Sequence, residues 1–312
     1  MKIQPALNWL VPLIALLALA AAGVGLFSQG GSGPFTFTTI RGEVIEIYGQ
    51  GLYRYDTPLV AVGNRVGDGV LLVLGLPLLI VSFVLYQRGS RGGGLLLAGA
   101  LAYFLYIYVS LAIGAVYNDF FIVYVVILAA SLFGLITTLM SFDAQMLPAH
   151  FSARLPHRGI GIYLIVSGVI LCLVWLLLSI VPALLQGSVP AELKHYTTFI
   201  TGAIDLGIIA PALVIAGRLI LKRTPLGYLL APVLLVFTVV LGTGLTVAGI
   251  AQLIAHLVSI GQFIGFTAGF SLLTFFAIWF TIILFRDFSE VPPGKIAMNY
   301  RKEDRNESYS IN

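Results

Sequence analysis

Charge is what this sequence has least of. Only 10% of its 312 residues are Asp, Glu, Lys or Arg, where soluble domains carry roughly 25%. That deficit excludes a water-soluble globule. Cysteine is nearly absent as well. Cys172 stands alone inside an apolar run, which excludes an intrachain disulfide and a thiolate metal cluster and leaves a small packing role. Enzyme signatures are missing: there is no His-Glu-x-x-His, no Gly-x-Ser-x-Gly and no Walker motif. Gly242-Thr243-Gly244 lies within an apolar stretch, where glycines serve helix packing and not phosphate binding. The net charge of +4 does not point to nucleic acid, because the basic residues cluster at the ends of apolar runs.

What the chain has in abundance is apolar length. Hydrophobic residues make up 59% of it and the mean hydropathy is +1.02. They fall in continuous runs of about 20 residues, the length a helix needs to cross roughly 30 Å of hydrocarbon. The runs do not alternate, so helices satisfy the backbone in lipid where a barrel would not. Helices are predicted over 9–27, 69–87, 94–116, 120–140, 160–186, 197–221, 227–254 and 261–285. The predicted fold is therefore an all-α integral membrane protein, a polytopic bundle of about eight transmembrane helices over 1–286. Lys2 followed by an apolar run ending in Ala20-Ala21-Ala22 imitates a signal peptide. The run is longer than the usual 7–15-residue core of such peptides, so it reads as a first span.

Lys and Arg set the orientation. With the N-terminus inside, the inner set is Lys2, Arg88, Arg91, Arg154, Arg158, Arg218, Lys222, Arg223, Arg286, Lys295, Arg301, Lys302 and Arg305. The outer set is Arg41, Arg54, Arg65 and Lys194. This bias places the chain in a cell membrane with both termini cytoplasmic.

Two segments lie outside the apolar runs. The extracytoplasmic loop 28–68 opens with Gln29-Gly30-Gly31-Ser32-Gly33-Pro34. It continues with the β-prone runs 36–40 and 43–48, then Gly49-Gln50-Gly51 and Leu52-Tyr53-Arg54-Tyr55. β-branched and aromatic residues about a glycine-containing three-residue turn read as a hairpin, expected to cap the outer face of the bundle because an isolated hairpin is marginal in water. Residues 287–312 read as a polar, poorly ordered cytoplasmic tail.

The halves 9–140 and 160–285 resemble each other. Pro77 is followed eleven residues later by Arg88, and Pro211 eleven later by Lys222; Asp68 precedes the first proline by nine and Asp205 the second by six. That spacing fits two parallel four-helix repeats, as occur in transporters, and equally fits chance likeness between Leu-rich segments.

Asp205 is the sharpest candidate. If its helix begins near Thr197, it lies about 12 Å along the span, where a carboxylate is costly and faces a bundle interior or aqueous cavity. Thr198 and Thr201 share its face and are expected to hydrogen-bond to it. The alternative is a later helix start, with Asp205 as an N-cap. Asp68 and Asp119 read as caps of the second and fourth helices. Pro77 and Pro211 each free a backbone carbonyl, of Val73 and Gly207, and are hinge candidates or simple kinks.

In the last helix Gly261, Gly265 and Gly269 form a small-residue ridge, with Thr267, Ser271, Thr274 and Thr281 opposite. The hydroxyl stripe lines a polar pathway or serves interhelical bonding. Tyr103, Tyr106 and Ser110 form a second polar stripe, and Tyr117 and Tyr124 are core or interface residues. Glu192, His195 and His256 lie on the outer side as a weak zinc or copper candidate, while His150 and His157 belong to a basic inner loop. No histidine lies mid-span, which argues against bis-histidine haem. No cofactor is predicted.

The reading that joins these residues is a small-solute or ion transporter with an intramembrane carboxylate. A non-catalytic accessory or sensory subunit is the first alternative and an intramembrane enzyme the second. Expected partners are the lipid bilayer and a membrane protein or second copy.

Overall fold

The computed structural model describes residues 1–291. It is 74% helical. Eight helices are long and apolar enough to cross a membrane: α1 Leu7–Phe27, α2 Pro58–Gln87, α3 Arg91–Gly114, α4 Phe121–Met140, α5 His157–Leu185, α6 Ile200–Leu221, α7 Pro225–Ile254 and α8 Ile260–Asp287. The part of the predicted tail beyond Val291, with Lys295, Arg301, Lys302 and Arg305, lies outside the described residues.

Successive helices run in opposite directions, so the connections collect at two ends. At one end a β-hairpin covers the bundle. At the other, the Lys2 N–H donates to the Ser141 carbonyl (2.8 Å), and Glu290 accepts from the Ser90 hydroxyl (2.6 Å) and the Gly92 N–H (3.0 Å). Those acceptor contacts satisfy orphan donors at the start of α3, where a negative charge also suits the helix dipole.

The second helix corrects the sequence expectation. It begins at Pro58, eleven residues before the predicted start, with proline in the first turn. The loop is therefore residues 28–57, and Asp68 lies inside α2 instead of capping it. Glycines and polar residues between 62 and 69 masked the helix, but tertiary partners satisfy those side chains. Arg65 donates to the Tyr48 hydroxyl (2.6 Å) and the Leu26 carbonyl (2.8 Å). Asp119 is no cap either. Asn118 Oδ1 accepts from the Phe120 N–H (3.0 Å), while Asp119 pairs with Arg54 at 3.5 Å.

The hairpin pairs β1 Phe35–Thr38 with β2 Val44–Ile47, Phe35 opposite Ile47 and Thr38 opposite Val44. Its turn is at 39–43, where Gly42 takes φ +81° and the Thr39 N–H bonds the Glu43 carbonyl at 2.8 Å. The predicted turn at Gly49–Gly51 instead folds the chain back beside β2: the Tyr48 N–H donates to Asp56 O and the Gly49 N–H to Arg54 O, both at 2.9 Å. Both glycines have positive φ, as so sharp a bend demands. Arg41 anchors the hairpin by donating to the Lys194 carbonyl at 2.9 Å.

Among the described residues five helices carry a π-helical turn: Leu71–Gly75, Ser110–Gly114, Leu176–Ile180, Asp205–Ile209 and Phe263–Ala268. In three of them a proline sits two residues beyond the turn, Pro77, Pro182 and Pro211. Proline lacks the N–H and its ring crowds the carbonyl four residues earlier. One extra residue in the preceding turn relieves that crowding, which explains the recurrence.

Glycines set the closest approaches. A Cβ on Gly161 of α5 would lie 2.8 Å from the Gly217 carbonyl of α6, and one on Gly217 would lie 2.6 Å from the Gly161 carbonyl. Between α7 and α8, Gly242 and Gly249 accommodate Thr274 and Thr267. Without a hydrophobic driving force in lipid, such small-residue contacts supply the van der Waals packing.

Candidate functional site

A cavity of about 410 Å³ lies between the halves of the chain. Its wall includes Asp68 of α2, Tyr103 and Tyr106 of α3, Trp175 of α5, Leu241 of α7 and Thr267 of α8. It starts at the hairpin end, beside Leu59 and Gln252, and reaches Asp68, ten residues or about 15 Å into α2. Its volume suits a small molecule, for which pockets run roughly 300–1,000 Å³.

Three buried carboxyls surround this end. Asp68 is 5% exposed, Asp205 6% and Asp56 1%. Among the described residues the one ion pair is Arg54–Asp119, so none of the three is neutralised by a basic side chain. A buried charge without a pair is expensive, and neutral donors carry the load instead. Tyr53 donates to Asp68 Oδ2 at 2.7 Å. Gly25 of α1 faces the same carboxyl, and a Cβ there would overlap it.

Asp205 accepts from both sides. The Tyr106 hydroxyl bonds Oδ1 at 3.0 Å and Trp175 Nε1 bonds Oδ2 at 2.8 Å. Phe199 is the residue before the helix and no side chain caps it, so Asp205 is a cross-link between α3, α5 and α6 and not an N-cap. It stands behind Tyr106 and Trp175, which line the cavity themselves.

Asp56 closes the hairpin end. It accepts from the Tyr196 hydroxyl at 2.7 Å and the Val116 N–H at 3.4 Å, tying three connections together. Burial pushes its carboxyl up to about 6, against the lowering effect of those two hydrogen bonds. Burial also holds His195 below the usual imidazole range, although the Tyr55 carbonyl raises it.

The remaining sequence candidates divide. Thr198 and Thr201 line the cavity but do not bond Asp205, because α6 starts at Ile200 and its aromatic neighbours reach the carboxyl first. Thr267 also lines the cavity. Ser271 and Thr274 do not; each hydroxyl donates to the carbonyl four residues earlier, and Ser271 also meets Thr246 at 3.0 Å. The stripe is therefore mostly helix packing. The Gly261–Gly265–Gly269 ridge has no contacts of that kind: nothing lies within 4 Å of a Cβ at Gly265 or Gly269.

Glu192, His195 and His256 do not converge, and among the described residues no group of three His, Cys, Asp or Glu side chains is placed to hold a metal ion. Glu192 accepts from Ser179 (2.8 Å), His195 Nε2 lies 3.1 Å from the Tyr55 carbonyl, and His256 ends α7 with φ +55°. His150 and His157 are buried at the other end, against the Ser289 carbonyl and the Tyr228 hydroxyl, both at 2.6 Å. Tyr124 is core and Tyr117 exposed.

The sequence reading took Asp68 for a helix cap and missed Tyr53 and Trp175. Thr57-Pro58 was the available signal for Asp68, as a helix start that puts the carboxylate three turns inside. Nothing local marks Tyr53 or Trp175, whose partners are distant in the chain. No family model, no curated protein and no solved structure matches this chain.

Proposed function

We propose that this chain is a multi-pass membrane transporter for a small solute or ion, with both termini cytoplasmic and Asp205 as its coupling carboxylate. One observation carries the reading. The cavity draws its wall from both halves of the chain and ends on a buried, un-ion-paired carboxyl, with a second immediately behind the wall. Intramembrane ionisable residues that face a cavity mark substrate or ion paths. Asp205 bonds α3 and α5 through Tyr106 and Trp175, so a change in its protonation alters contacts between the halves.

The π turns support the same reading. α2 and α6 are each the second helix of a half, and each carries a π turn followed two residues later by a proline. These are the natural hinges of two parallel four-helix units. The thirteen-to-four division of basic residues supports the orientation.

Reconstituted vesicles test the reading. Asp205→Asn is expected to abolish gradient-driven uptake while the protein stays folded and monodisperse. Unchanged uptake in that variant sinks the coupling role. A second reading, an accessory subunit, is favoured by the hairpin's exposed apolar residues, Ile40 at 87% and Val44 at 70%. Deleting residues 36–55 should then release a co-purifying membrane partner, and retention of the partner argues against it.

A further inference from the structure

The chemistry of the cavity wall is one-sided. It contains two acidic residues, Asp68 and Glu192, and no Lys, Arg or His among the described residues. The basic side chain of α2, Arg65, is not on the wall and donates to the Tyr48 hydroxyl and the Leu26 carbonyl. The rest of the wall is unusually aromatic, with Tyr103, Tyr106, Trp175, Phe199 and Phe266 all contributing. Trp175 holds Phe199 edge-on at 5.0 Å between centroids and Phe266 at 6.4 Å, so three rings form one continuous surface.

Asp68 completes the arrangement. It is 5% exposed and lines the cavity, and its hydrogen bond from Tyr53 goes to Oδ2. Oδ1 has no hydrogen-bond donor among the described residues. The Ser110 hydroxyl, also on the wall, is buried without a partner. Asp68 Oδ1 is thus left open to the positive charge of a ligand in the cavity.

We propose that the cavity binds a small organic cation, an alkyl or arylalkyl ammonium, with Asp68 as its counter-charge and the Trp175–Phe199–Phe266 surface against its substituents. Aromatic faces attract ammonium groups through their quadrupole, most strongly where water is excluded. An anion would meet the opposite field, from Asp68 and Glu192 and from Asp205 behind the rings. This inference rests on the transport reading for its purpose but not for its test.

Purified protein in nanodiscs is titrated with benzyltrimethylammonium, with benzenesulfonate as the charge-inverted control, following heat and Trp fluorescence. Saturable binding of the cation alone is expected, weakened at least tenfold by Asp68→Asn. Because that variant removes a buried bond and risks misfolding, the wild type is also labelled with a hydrophobic carbodiimide. Benzyltrimethylammonium should protect Asp68 from modification, and benzenesulfonate should not. No binding at millimolar concentration, equal binding of the sulfonate, or labelling of Asp68 unaffected by the cation overturns the inference. Binding without flux in vesicles leaves it standing and overturns transport; flux of another solute without cation binding does the reverse.

Discussion

The Tyr53 phenol reaches from the loop into the bundle and donates to Asp68 Oδ2 at 2.7 Å, fifteen residues along the chain and ten residues inside α2. Both side chains are buried, Tyr53 at 2% exposure. The loop is therefore structural support for the carboxyl as well as a cover.

Removing the phenol oxygen leaves that buried carboxyl with one donor fewer. Tyr53→Phe is expected to destabilise the protein by about 1–3 kcal/mol. Gly25→Ala should do at least as much, since its methyl would overlap the same carboxyl. Thermal unfolding in detergent checks both; an unchanged midpoint in Tyr53→Phe would falsify the supporting role.

Asp56 makes stability depend on pH. Its folded-state value of about 6 exceeds the unfolded 3.8, so the folded protein holds the proton more tightly. The resulting stabilisation is fully present below about pH 4 and is lost as pH rises through 6, by at most about 3 kcal/mol. Asp56→Asn cannot titrate. Relative to wild type, its unfolding midpoint should gain between pH 4 and pH 8, and parallel profiles for the two proteins would refute the assignment.

The indole of Trp175 is the donor on one side of Asp205. Trp175→Phe keeps most of the ring area but removes Nε1, at a cost of about 1–3 kcal/mol. Trp9→Phe, at a position 82% exposed, should stay within about 0.5 kcal/mol. In the background of Asp205→Asn the Trp175→Phe penalty should shrink, because the two residues share one interaction. Additive losses would mean that the bond contributes nothing.

Helix proximity gives a cleaner contrast. Gly217→Val pushes a side chain into the Gly161 carbonyl of the facing helix, and overpacking of this kind costs about 1–3 kcal/mol. Gly265→Ala meets open space and should be neutral or slightly stabilising through helix propensity. A destabilised but still folded Gly265→Ala would show that the ridge is covered by something outside this chain, which size-exclusion with multi-angle scattering would then identify as a second copy or not.

Some of this was legible along the chain, and the division has a physical basis. Apolar runs of about 20 residues determine eight helices because lipid offers the backbone no other partner. Asp205 stood out for the same reason: a carboxylate inside such a run is costly wherever it points. Pro77 and Pro211 announced a perturbed turn, although not the π geometry that accommodates them. Tertiary structure decided the rest. The start of α2 at Pro58 depends on Arg65 finding Tyr48 and Leu26, and on Asp68 finding Tyr53. Whether Asp205 caps a helix or ties three together depends on Tyr106 and Trp175, 99 and 30 residues away in the chain. Hydropathy sums each residue with its neighbours in sequence, whereas a buried polar group is satisfied by neighbours in space. The helices follow from the first, and the carboxyl-lined aromatic cavity exists only through the second.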